Sequence, residues 1–157
     1  MGKMNILNDF EEKFKNLQRE LKFKSSLNEI DGIFFVKDLI LKDNFVSPNL
    51  GRQLCYRIAE VYMGWNEYLH GLIMPSPQNI LNLSESKIFN QEEKKGIMNI
   101  IKKIMELNSR NILITLTKDS LDEGKFIDYS VNLWKNEVGP EVTKIIKKVN
   151  KEWGNEK

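Results

Sequence analysis

The residues best spaced for chemistry are Glu67 and His70. Three positions apart on a helix, a carboxylate and an imidazole can reach one metal ion. Ferritin-like metal-carboxylate sites in four-helix bundles use that spacing. The remaining ligands would come from other helices, where Glu29, Glu106, Asp122 and Glu137 are available. Two features oppose this reading. Such sites carry two Glu-x-x-His pairs, and His70 is the only histidine. At about 100° per residue, Glu67 and His70 also fall roughly 140° or more from the centre of their helix's apolar stripe. A histidine in the last helical turn is explained by the exposed carbonyls there. No other pattern calls for a cofactor.

A second chemistry is phosphate binding. Lys144, Lys147, Lys148 and Lys151 form a basic stripe opposite the apolar face of the last helix. Such a stripe can neutralise phosphates and makes nucleic-acid binding salt-dependent. No aromatic or Arg/Asn base-reading set accompanies it. Asn49, Arg52, Gln53 and Arg57 could act as polar readers on a helix after Ser47. The turn glycine and helix spacing of a helix-turn-helix are not convincing, so a solvated face is the simpler reading.

Nucleophilic and calcium chemistry have weaker support. Cys55 falls beside an apolar stripe, as a small buried side chain would. It lies about four helical turns from His70, over roughly 20 Å along one helix, beyond hydrogen-bond reach. The run Asp119 to Gly124 lacks the alternating oxygen ligands of an EF-hand loop. Tyr56, Tyr62, Trp65 and Tyr68 on one helix exceed what a core stripe needs. Such residues suit a surface that is apolar at one end and wet at the other.

Composition narrows the classes further. With 157 residues the chain has the length of a single domain. Its 24 basic and 22 acidic residues leave a net charge of +2, too balanced to argue for nucleic acid or an anionic membrane. No apolar stretch reaches the roughly 18 to 20 residues needed to span a bilayer. The N-terminal residues lack the apolar core of a secretory signal. A lone Cys55 points to a reducing, cytoplasmic setting.

Helices must position all these residues. Leu7, Phe10, Phe14, Leu17 and Leu21 follow a heptad seam for about two heptads, which fails at Lys24 and Asn28. Ser26 with Glu29 has capping-box spacing and predicts a helix over Leu27–Leu41. Ser47-Pro48 predicts a helix from Pro48 to about His70, stopped by Gly71 and Pro75. Ser76-Pro77 predicts a short turn through Leu83, followed by loop. Asn90 with Glu93 opens another helix. Ile112–Thr117, rich in β-branched residues, also suits a short β element, although a single strand has no partner to bond. Ser120 with Glu123 starts a helix to about Val138, and Pro140 starts the last one before a frayed tail over 154–157.

The expected architecture is an all-α, single-domain bundle of five or six helices over 1–157. The expected function is a non-enzymatic helical interaction or assembly module. It binds a protein partner or a second copy of itself and stays off membranes. Its contact residues on this reading are Phe10, Phe14 and Leu17 of the seam with Tyr62 and Trp65 of the third helix. The alternatives are nucleic-acid binding through the lysine stripe and a metal site at Glu67 and His70.

Overall fold

The computed structural model describes residues 3–155. Eight α-helices follow one another: α1 (Lys3–Leu21), α2 (Leu27–Phe34), α3 (Val36–Asp43), α4 (Leu50–Ile73), α5 (Ile80–Ser86), α6 (Gln91–Thr117), α7 (Ser120–Leu133) and α8 (Gly139–Asn155). A π-helical turn, Trp134–Val138, joins α7 to α8 without a break. Counted as one continuous helical run, that makes seven helices among the described residues, against the five or six predicted. No strand occurs among them, so Ile112–Thr117 is the last part of α6. None of the described helices is long and apolar enough to cross a membrane.

The chain divides into two compact units. The first comprises Met1–Val61 and Ser109–Asn132; the second comprises Tyr62–Asn108 and Leu133–Lys157. Helix α4 gives residues 50–61 to the first unit and 62–73 to the second, and α6 gives 91–108 to the second and 109–117 to the first.

In the first unit the N-terminal seam is closed by the chain itself. Helix α1 packs on α3. Phe10 and Phe14 are buried, and Phe14 meets Phe23 edge-to-face with ring centroids 5.5 Å apart. The Ser26 capping box forms: the Glu29 amide donates to Ser26 Oγ at 3.1 Å and the Ser26 amide to Glu29 Oε1 at 3.2 Å. The predicted helix from Leu27 to Leu41 is instead two helices. Phe35 takes a left-handed conformation (φ 54°, ψ 47°) that ends α2 and turns the chain into α3. That turn lets Phe34 and Val36, on either side, both be buried, while Phe35 is left exposed. Asp31 holds it by accepting from the Lys37 amide at 2.9 Å.

Helix α7 is tied to the N-terminal region by close backbone approach. A Cβ at Gly124 would run into the Leu21 carbonyl, so only glycine fits. Four residues on, Asp128 accepts from the Lys24 and Ser25 amides and from the Ser25 hydroxyl.

In the second unit α6 begins with the second predicted capping box. The Glu93 amide donates to Asn90 Oδ1 at 2.8 Å and the Asn90 amide to Glu93 Oε1 at 3.0 Å. Helix α5 starts later than predicted, because Asn79 caps it, accepting from the Asn82 amide. The π turn explains how a helix passes through Gly139-Pro140. Widening to i→i+5 spacing lets the Gly139 amide donate to the Trp134 carbonyl. Proline, which has no amide to give and clashes with a regular preceding turn, is then accommodated in α8. Helix α8 continues through Gly154 and Asn155, where a frayed tail is predicted; residues 156–157 lie outside the described residues.

Candidate functional site

The residues predicted as sites do not gather. Phe10 and Phe14 are buried in the first unit and Leu17 is half-buried beside them on α1. They therefore do not offer a free surface. Tyr62 is fully buried in the second unit, with Trp134 edge-to-face at 5.9 Å. Trp65 is half-buried between Trp134 at 6.1 Å and Tyr68 at 6.5 Å. These aromatics form an internal cluster around the π turn. The neighbouring Tyr68 hydroxyl donates to Glu85 at 3.2 Å, and burial together with that carboxylate pushes the phenol up to about 12.

Glu67 and His70 are both exposed, as their position on the helix predicts. No group of three or more His, Cys, Asp or Glu side chains placed to hold a metal ion occurs among the described residues. In the lysine stripe, Lys148 is bound to Glu93 and lies over the Phe89 ring. Lys144 stands 3.8 Å from Glu141. Only Lys147 and Lys151 extend as exposed cations without such a partner among the described residues.

A different set of residues converges in the first unit. A groove of about 850 Å³ lies between the start of α4, the end of α6 and the start of α7. Its floor carries Arg52. One guanidinium nitrogen, Nη2, donates to Asn111 Oδ1 and to Thr115 Oγ1, both at 2.8 Å. The guanidinium lies over the Tyr56 ring, 4.6 Å from its centroid. The Tyr56 hydroxyl is 3.2 Å from Thr115 Oγ1. The hydrogen bond with Thr115 and the neighbouring Arg52 cation hold the phenol below its ordinary value. Phe45 lines the same groove; like Tyr56 it is about half exposed.

Glu123 closes the inner wall. It is buried, and its Oε2 stands 3.7 Å from Arg52 Nε, an ion pair longer than a hydrogen bond. Burial raises its carboxyl above the ordinary value, and Arg52 offsets only part of this. The Ser120-x-x-Glu123 spacing is thus not a capping box. Asp119 caps α7 instead, accepting from the Leu121 amide at 3.0 Å. Behind the wall the buried Cys55 thiol faces the Glu123 carbonyl at 3.8 Å. Burial pushes that thiol up to about 12, so it is a protonated, unreactive side chain near neutral pH.

The groove's partial signal in the sequence is the polar set Arg52, Gln53 and Tyr56 on α4, with Asn49 just before it. The reader set proposed on that helix loses Arg57, which is spent on the Phe34 carbonyl at 2.8 Å and on Glu60. Gln53 is a local brace: it accepts from the Ser47 amide at 2.9 Å and donates to the Phe45 carbonyl at 3.3 Å. Nothing local marks Asn111, Thr115 or Glu123 as partners of Arg52, and the spacing of Glu123 from Ser120 pointed to a cap instead. Compared with known protein families, with curated proteins and with solved structures, the chain matches none.

Proposed function

We propose that this chain is a non-enzymatic helical interaction module that self-associates through the C-terminal face of α6. One observation supports the reading. Ile112, Leu113 and Leu116 are 53%, 57% and 73% exposed. On a helix these three positions span about 100° of one face. Adjacent large apolar side chains left in water mark contact surfaces more often than chance exposure does. The reading moves the contact from Phe10, Phe14, Tyr62 and Trp65 to side chains that a partner can reach.

Three side chains cover less than the roughly 800 Å² per partner of a standard interface. The expected form is therefore a weak dimer that responds to concentration. The near-neutral net charge opposes it little.

Sedimentation velocity from micromolar to millimolar protein tests this. The wild-type coefficient should rise with concentration. The Leu113→Lys/Leu116→Lys variant should stay monomeric with an unchanged melting curve, since both positions are exposed. A wild-type protein that remains monomeric across the range overturns the proposal.

A further inference from the structure

We propose that the groove of the first unit binds a small monocarboxylate with a flat apolar body. This inference does not rest on self-association. It rests on how the groove spends its hydrogen-bond donors.

Arginine carries five N–H donors in a planar fork that matches a carboxylate. In Arg52 only Nη2 has acceptors at hydrogen-bond distance, Asn111 and Thr115. Nη1 is buried with no partner, and Nε stands 3.7 Å from Glu123. The Arg52 side chain is 19% exposed, but a donor left unpaired within it is costly, and an added acceptor on this cation lowers that cost. The groups that hold Nη2 and the Tyr56 ring also keep the fork from turning freely, so an incoming carboxylate meets an ordered cation.

Lys118 provides a second cation at the rim. It caps α6 in a left-handed conformation (φ 59°), its amide donating to the Ile114 carbonyl at 2.8 Å. Its side chain lines the groove and is exposed.

Charge selects among anions. Against Arg52 and Lys118 stand Glu123 and Asp43, which line the same groove. A dianionic phosphate would meet as much negative charge as positive. A single carboxylate, planar and monoanionic, fits the fork with less repulsion. The half-exposed rings of Phe45 and Tyr56 offer apolar surface beside it, which suits a flat hydrocarbon body.

The test is a titration of the isotopically labelled full chain followed by amide NMR at neutral pH and low salt. The probes are benzoate, neutral benzamide, cationic benzylamine and dianionic phenyl phosphate. Benzoate should saturate at millimolar concentration and shift the amides of Tyr56, Thr115 and Lys118. Benzamide, benzylamine and phenyl phosphate should bind at least about tenfold more weakly.

Arg52→Gln should weaken benzoate binding by about ten- to a hundredfold, as loss of charge-assisted hydrogen bonds does. Lys118→Gln, at an exposed position, should weaken it several-fold and keeps the test valid if the Arg52 variant does not fold. Equal binding of benzoate and benzamide overturns the proposal. So do tighter binding of phenyl phosphate, shifts confined to other residues, or an undiminished response in the Lys118 variant.

Discussion

Arg52 and Glu123 face each other across 3.7 Å, one side chain 19% and the other 11% exposed. At that separation their attraction is real, but neither group completes a hydrogen bond with the other. Burial of the carboxylate outweighs the help it receives from the guanidinium, and its pKa rises.

This fixes a sign for the dependence of stability on pH. A carboxyl whose pKa is higher folded than unfolded binds more protons in the folded state within the window between the two values. Stability contributed by Glu123 is therefore full at acid pH. It declines as pH rises from the ordinary carboxylate value through the folded one. Glu123→Gln stays neutral throughout. Its urea midpoint relative to wild type should be higher at pH 7 than at about pH 4. A variant that is relatively weaker at pH 7 would show that the pair with Arg52 outweighs the burial.

Gly139 is required by the π turn. A Cβ there would lie 2.6 Å from the Trp134 carbonyl oxygen and 3.0 Å from its indole nitrogen. Because the nearest obstacle is backbone, the clash cannot be relieved by a side-chain rotation alone. Gly139→Ala should cost about 2 kcal/mol in urea unfolding, as overpacking does. It should also change the near-ultraviolet circular dichroism of the tryptophans. A loss under about 0.5 kcal/mol, within the range of ordinary surface substitutions, would mean that the turn is not held by this contact.

Phe35 carries the opposite expectation. It is a bulky residue in the left-handed region and is 52% exposed. That conformation costs a non-glycine residue roughly 1–2 kcal/mol. Phe35→Gly removes this cost but adds about 0.5–1 kcal/mol of unfolded-state entropy. The variant should be more stable by about 0.5 kcal/mol in thermal or urea unfolding. A clear destabilisation would show that the exposed ring stabilises the α2–α3 corner more than the backbone strain opposes it.

Several of these features were legible in the chain. Ser26 with Glu29 and Asn90 with Glu93 form the capping boxes that their spacing predicts. Their partners lie three positions apart, so the information is local. Ser120 with Glu123 has the same spacing and fails, because Asp119 competes for the cap and Glu123 is drawn to Arg52. Ile112–Thr117 looked strand-like by composition. It is helical because it continues a long helix and no strand among the described residues could pair with it.

By itself the sequence determined the all-α class, the places where helices begin, and the apolar stripes along α1, α4 and α8. These follow from hydrogen bonds and side-chain neighbours within about four positions. The tertiary structure alone decided which stripes are covered. The Phe10 and Phe14 seam read as a possible contact surface until α3 packed against α1. It also decided the groove, because Arg52 meets Asn111 across 59 positions of sequence. No local pattern encodes such a pairing. Only the folding of the start of α4, the end of α6 and the start of α7 into the first unit brings those donors and acceptors within reach.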